Sequence, residues 1–203
     1  MKILVTGFEA FHNHSENPSQ EVVRLLPKTV KGHKIISLEL PVLYDKSFDL
    51  VQECIEQEHP DIIIHLGLAQ GRKFITPERF AINIDDVSIG DNDGLIRQGK
   101  TIKEDGENAY FSTLPLDEIV KRIQAKEIPV KISNHAGSYI CNHVMYQSLH
   151  YIKKHNLEIQ AGFIHLPLMD EQNEGKTMFS LPLHQLLDAV IDSIKACIRG
   201  VLI

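Results

Sequence analysis

Ten residues concentrate the chemistry of this chain: Asn134-His135-Ala136-Gly137-Ser138-Tyr139-Ile140-Cys141-Asn142-His143. Cys141 follows a small, turn-prone stretch and opens an apolar-periodic run, which predicts a thiol at a helix N-terminus. Such a terminus carries about half a positive charge and unpaired N–H groups. Both favour thiolate over thiol, and the thiolate is the reactive form. Downstream, Gly162-Phe163-Ile164-His165-Leu166-Pro167 reads as a short apolar strand ending on a histidine. A thiol and an imidazole brought to one cleft suit acyl transfer through a covalent intermediate. A third group must then fix the imidazole tautomer. Glu78, in Thr76-Pro77-Glu78-Arg79 after a glycine-rich turn, is the best placed carboxylate. The bland alternatives are an inert core thiol, a satisfied core histidine and a surface Glu78 paired with Arg79.

Other chemistries fit poorly. The chain has 11 histidines, yet His12 and His14, or Cys141 and His143 beside His135, form neither His-Glu-x-x-His nor Cys-x-x-Cys. No metal is expected. Gly67-x-x-x-Gly71 lacks the Lys-Ser/Thr of a phosphate loop, and Val5-Thr6-Gly7-Phe8 supplies one glycine rather than a dinucleotide fingerprint.

The elements that must carry these groups alternate. Lys2–Thr6 reads as a buried strand closed by Gly7. Asn17-Pro18-Ser19 marks a helix start, with Asn at the cap and Pro in the first turn. His33–Leu40 is strand-like. Tyr44, Phe48, Val51 and Ile55 share one helix face, with Cys54 beside it as a buried structural thiol. Ile62–Leu66 is a buried strand ending at Gly67, and Phe74–Ser88 alternates as a strand does. Gly90–Gly106 is a Gly/Asp/Asn-rich surface excursion. Leu116–Lys126 is a helix, Val130–Ser133 a strand, Cys141–His155 a helix and Gln160–Leu166 a strand. The last helix buries Leu186, Val190, Ile194 and Cys197. The alternation predicts one α/β domain spanning 1–203, a three-layer α/β/α sandwich around a mostly parallel, twisted sheet. Ligands of such sheets bind beyond the carboxyl ends of the strands.

Composition narrows the class. The chain has 203 residues, 43% of them apolar and 24% charged, which suits a globular domain with a full core. A net charge of −6 without a Lys/Arg cluster argues against nucleic-acid and anionic-membrane partners. No apolar run approaches the roughly 20 residues of a membrane span or the roughly 7–15 of a secretory signal. Cys54, Cys141 and Cys197 are an odd, widely spaced set rather than a disulfide framework. A reduced, cytoplasmic location is expected.

Taken together, four strings resemble the pyroglutamyl-peptidase I (pyrrolidone-carboxylate peptidase) family of cysteine peptidases. They are Leu4-Val5-Thr6-Gly7-Phe8 with Phe11 and Asn17-Pro18-Ser19, the stretch Gly67–Asp86, Ala136-Gly137-x-Tyr139-x-Cys141-Asn142, and Gly162-Phe163-Ile164-His165-x-Pro167. The match runs nearly the full length. The resemblance implies removal of N-terminal pyroglutamate from peptides, with Glu78, Cys141 and His165 as catalytic residues. It implies no metal or organic cofactor, a cytoplasmic location and a homotetramer. It also implies a pocket in which Phe8 and Phe11 sandwich the lactam ring, with Gln70, Ile89, Tyr139 and Ile140 as further substrate-binding positions and Asn17 bracing the loop. Core packing of the two phenylalanines and helix capping by Asn17 are the competing readings. An apolar slot suits the uncharged lactam and should reject a free N-terminal glutamate. Proline after the scissile bond should be poor, because its ring crowds the leaving nitrogen.

Two departures stand out. An arginine frequent in the family aligns with Ser88 here, with Arg72 and Arg79 as candidate substitutes, and Leu68 stands where many relatives have glutamine. Two rival readings stay open: another thiol amidohydrolase, such as a glutaminase, and a catalytically silent binding protein on the same fold.

Overall fold

Ile62-Ile63-Ile64 can be extended and buried only if both of its faces are covered, and that requirement organises the molecule. The computed structural model describes residues 1–11, 15–173, 175 and 178–199; His12 and His14 lie outside them. The strands are β1 (Lys2–Phe8), β2 (Thr29–Val30), β3 (His33–Leu40), β4 (Ile62–Leu68), β5 (Thr76–Ile82), β6 (Ala109–Phe111), β7 (Ser133–His135), β8 (Gln160–Leu166), β9 (Leu168–Met169) and β10 (Ser180–Leu181). The helices are α1 (Pro18–Leu25), α2 (Tyr44–Glu58), α3 (Leu116–Gln124), α4 (Ile140–Lys154) and α5 (Leu183–Arg199).

The main sheet runs β2-β3-β1-β4-β8-β5-β6, with β7 paired to β5. The central neighbours β3, β1, β4 and β8 are parallel, as are β5 and β7, while β2 on β3, β5 on β8 and β6 on β5 are antiparallel. β9 and β10 form a separate parallel pair. Alternation along β4 sends Ile62, Ile64 and Leu66 into a cluster with Ile119, Leu186, Val190 and Cys197 of α3 and α5. Ile63 goes the other way, to Phe48 and Val51 of α2 and Val144, Met145 and Leu149 of α4. The expected three layers and mostly parallel sheet are therefore present.

Details depart from the expectations. β1 runs on to Phe8, so Phe8 ends a strand and only Phe11 lies in the following loop. The strand expected at Val130–Ser133 forms instead at Ser133–His135, because Ser133 and His135 pair with Glu78 and Phe80; Val130 makes only an isolated bridge to Ile75. Cys54 packs at the edge of the α2–α4 cluster but is half-buried, whereas Cys197 is fully buried as expected. The 90–106 excursion does hold helix and strand elements off, but Asp85 N donates to Lys100 O at 2.7 Å and closes it at its base.

Candidate active site

Strand register brings the reactive groups to one face. Gly67 of β4 pairs with His165 of β8, and His165 pairs with Thr76 of β5. Residues paired in register point to the same side of a sheet, as do residues two apart along a strand. Gly67, His165, Thr76 and Glu78 therefore all face the layer of α2 and α4. Ser133 of β7 extends the row, paired with Glu78.

The first turn of α4 descends onto this row. Tyr139 is the N-cap in extended conformation, and no side chain caps the helix. The N–H groups of Ile140, Cys141 and Asn142 precede the first intrahelical bond, which His143 N makes to Tyr139 O at 3.0 Å. The close approach depends on Gly67: a Cβ there would come within 2.9 Å of Cys141 Sγ and 2.8 Å of Phe163 Cζ. The sulfur thus lies over the residue that neighbours His165. Asn142, fully buried, locks the turn in place. Its Oδ1 accepts from Ile82 N at 2.9 Å, and its Nδ2 donates to Ile82 O at 2.9 Å and Ile84 O at 3.2 Å. Two turns on, Ser148 bonds His65 Nε2 at 3.0 Å, and His65 Nδ1 bonds Thr6 Oγ1 at 2.8 Å. All three are buried and satisfy one another. The base of the excursion also grips the helix. Asp85 takes His143 Nδ1 at 2.8 Å and Arg97 at 3.3 Å, while Tyr139 donates to Gly90 O at 2.9 Å.

His165 and Glu78 form a buried pair, with Nδ1 to Oε1 2.7 Å. Arg72 Nη1 reaches the same Oε1 at 2.5 Å and Thr76 Oγ1 at 2.5 Å. Glu78 is thus no surface partner of Arg79, which bonds Asn134 Oδ1 at 3.3 Å instead. Ser88 is exposed, and Arg72 is the cation at the site. Burial works to raise the Glu78 carboxyl, but the His165 bond, the Ser133 hydroxyl nearby and the Arg72 charge outweigh it and hold it below the ordinary value. His165 is also lowered: burial of the ring outweighs the pull of Glu78.

The thiol differs from the sequence expectation. Burial, then the negative charge of Glu78, push Cys141 up to about 12 against the opposing charge of Arg72. The residue keeps some exposed surface, but its sulfur is enclosed by Gly67, Phe163 and the wall of an apolar cavity. Burial thus works against the helix terminus at the sulfur and against Glu78 at the imidazole, favouring the uncharged form of each.

That cavity opens onto Cys141. Phe8, Phe11, Asn17, Val42, Leu68, Tyr139 and Ile140 line it, around about 50 Å³. That is room for roughly three to five waters, the size of a small ring. Five of the seven expected substrate-binding residues meet here. Gln70 is exposed, its Nε2 3.5 Å from Met178 Sδ, and Ile89 is 46% exposed; neither lines the cavity. Asn17 does both jobs read from the sequence. It caps α1 through Ser19 N at 3.1 Å, and it braces the loop by donating to Glu9 O at 2.9 Å. Its Oδ1 also accepts from Ser19 Oγ, which in turn accepts from Phe8 N, so the same chain fixes Phe8.

Sequence reasoning gave no role to Gly67, Thr76, Asn142 or His65. Their value lies in cross-strand register, although Asn142 stood beside Cys141 in the motif. No three His, Cys, Asp or Glu side chains among the described residues are grouped to hold a metal ion.

The chain as a whole is similar to known proteins. The profile of the pyroglutamyl peptidase family matches residues 1–200. The chain is 46% identical over 176 residues to a pyrrolidone-carboxylate peptidase of Alkaliphilus oremlandii, covering 87% of this chain and 83% of that one. It is 45% identical over 196 residues to one of Thermosipho melanesiensis, covering 96% and 97%. Among solved structures, pyroglutamyl peptidase I from Bacillus amyloliquefaciens superposes with a TM-score of 0.93 at 39% identity, over 97% of this chain and 95% of that one. A mutant pyrrolidone carboxyl peptidase from the hyperthermophile Pyrococcus furiosus superposes with a TM-score of 0.96 at 36% identity, over 100% of both.

Proposed function

Because the chain belongs to the pyroglutamyl peptidase family of cysteine peptidases, we propose that Glu78, Cys141 and His165 hydrolyse the amide bond after an N-terminal pyroglutamyl residue. The observation that carries this reading is the small apolar cavity of Phe8, Phe11, Tyr139 and Ile140 opening directly onto Cys141. A lactam brings no charge into it, whereas a free N-terminal glutamate would bring two.

The reaction starts from a neutral pair. As Sγ attacks the pyroglutamyl carbonyl, its proton passes to His165, and a sulfur–carbon bond forms. N–H groups of the first turn of α4 stabilise the oxyanion. The amide C–N bond breaks as His165 gives the proton to the leaving amine. Water, deprotonated by the same imidazole, then cleaves the thioester and frees pyroglutamate and thiol. Glu78 holds the Nδ1 tautomer and stabilises the imidazolium while it exists, and Arg72 keeps Glu78 ionised. Asn17 supports Phe8 from behind, and Gln70 and Ile89 act from the rim of the site.

The finer assignments of this reading are a cytoplasmic enzyme, active without a cofactor, folded as one catalytic domain over 1–203 and assembled as a homotetramer. In support, no described helix is long and apolar enough to cross a membrane, and the described cysteines are free. The test is release of a fluorogenic amine from its pyroglutamyl amide under reducing conditions, comparing wild type with Cys141→Ser. Turnover by wild type alone supports substrate class and nucleophile together. Turnover of glutamine but not of pyroglutamyl amides overturns the substrate class, and activity in both proteins removes Cys141 from the mechanism.

A further inference from the structure

The sheet order lays the site out as a line. The cavity lies over the ends of β1 and β4, at Phe8 and Leu68. Cys141 lies over Gly67 of β4, His165 follows on β8, Glu78 on β5 and Ser133 on β7. His165 delivers the proton to the leaving amine, so the peptide beyond the scissile bond must leave over β5 and β7.

A groove of about 540 Å³ occupies that position, lined by Arg72, Lys73, Phe74, Thr76, Lys131 and Ser133 among others. It joins the catalytic row at two register pairs, Thr76 with His165 and Ser133 with Glu78. Its charge is one-sided. Arg72 is spent on Glu78, but Lys73 has no ion-pair or hydrogen-bond partner among the described residues. Lys131 has no ion-pair partner there either, and its ammonium is held 4.6 Å from the centroid of the Phe74 ring. No carboxylate among the described residues lines the groove. In a chain of net charge −6, this is a local positive trough beside the active site.

We propose that this groove is the leaving-side subsite and that it selects peptides carrying a carboxylate two to three residues after the scissile bond. The inference rests on the pyroglutamyl peptidase reading of the site. The reach follows from geometry: β8 to β7 is two strand spacings of about 4.8 Å, and an extended peptide advances about 3.3 Å per residue. Lys73 and Lys131 are the specificity-determining residues, and Phe74 supplies a flat apolar floor.

The test compares kcat/KM for two capped peptides, pyroglutamyl-alanyl-glutamyl amide and pyroglutamyl-alanyl-lysyl amide, at low and physiological salt. The glutamyl peptide should be preferred about tenfold at low salt, and the preference should shrink as salt screens it. A free-acid pyroglutamyl-alanyl-alanine set against its amide separates the terminal carboxylate from the acidic side chain as the source. In the double variant Lys73→Glu, Lys131→Glu the ratio of the two peptides should invert, a readout that a general loss of activity leaves alone. Equal rates for both peptides, in wild type that cleaves a pyroglutamyl fluorogenic amide, overturn the groove assignment only. Failure to cleave any pyroglutamyl compound overturns the underlying reading and this inference with it.

Discussion

Gly67→Ala isolates one contact, the seat of the sulfur. Gly67 lies within β4 with no positive φ, so the backbone accepts alanine and only space objects. The new Cβ would stand 2.9 Å from Cys141 Sγ and 2.8 Å from Phe163 Cζ, where ordinary contacts begin near 3.4 Å. Each neighbour must retreat by about 0.5 Å. Phe163 is fully buried beneath α4 and has little room to yield, so the first turn of α4 takes much of the shift. A misplacement of about 1 Å at reacting groups can cost about 10²-fold. The expected loss in kcat is therefore about tenfold to a hundredfold, or about 1.4–2.7 kcal/mol of barrier. Tyr139 and Ile140, which line the cavity, move with that turn, so KM for a pyroglutamyl fluorogenic amide should rise as well, but by less than kcat falls. Overpacking should also lower stability by about 1–3 kcal/mol, read from urea unfolding. Gly162→Ala is the control. Its Cβ would collide with Ser112 and Leu114 on the opposite face, so it should lose stability while keeping kcat per folded molecule. A folded Gly67→Ala enzyme with wild-type kcat would refute the argument that this glycine sets sulfur against His165.

Alkylation of Cys141 by iodoacetamide in the free enzyme should quicken steadily with pH to 10 and beyond, because burial raises the thiol to about 12; a plateau below pH 7 would mean that a thiolate–imidazolium pair already exists at rest. Glu78→Gln should lower kcat by about 10²–10⁴-fold with little change in KM, and full activity would strip Glu78 of its role. Asn142→Ala breaks three hydrogen bonds and strands a backbone N–H of β5. It should cost about 1–3 kcal/mol, visible as a lower Tm, with a fall in kcat as α4 loosens; an unchanged Tm would contradict the locking role. Burial lowers His65 to about 3, so below pH 6.5 the unfolded chain binds a proton that the folded one refuses. Stability should therefore fall with acid by about 1.4 kcal/mol per pH unit from that group, between about 6.5 and 3. His65→Gln should flatten that slope, and parallel wild-type and variant curves would exclude His65 as its source.

What could be read from the sequence was local. Ile62–Leu66 and Gln160–Leu166 are apolar runs bounded by turn residues, and α2, α4 and α5 repeat at helical spacing, so layers and order followed. Cys141 was visible because a small, turn-prone stretch precedes it, and His165 because it ends a short apolar run. The short strands β2, β6, β9 and β10 were not, since two or three residues carry no periodicity. Val130–Ser133 was displaced for the same kind of reason: partners on β5, far away in the chain, decide which residues pair. Glu78 could be chosen, but not its company, because Arg72 reaches it only through the turn after β4. The burial that raises the Cys141 thiol was not legible, because a helix terminus can be seen in sequence, whereas the degree of enclosure around a sulfur cannot.

The enclosure of the sulfur also bears on how this protein survives oxidants. Peroxide attacks thiolate, and the first product is a sulfenic acid that leads on to irreversible forms. Burial raises all three thiols, Cys54, Cys141 and Cys197, above their ordinary value. Burial therefore disfavours, at all three positions, the anionic sulfur that peroxide attacks. On the proposed mechanism Cys141 is anionic while its proton moves to His165, when a substrate already fills the space an oxidant would need.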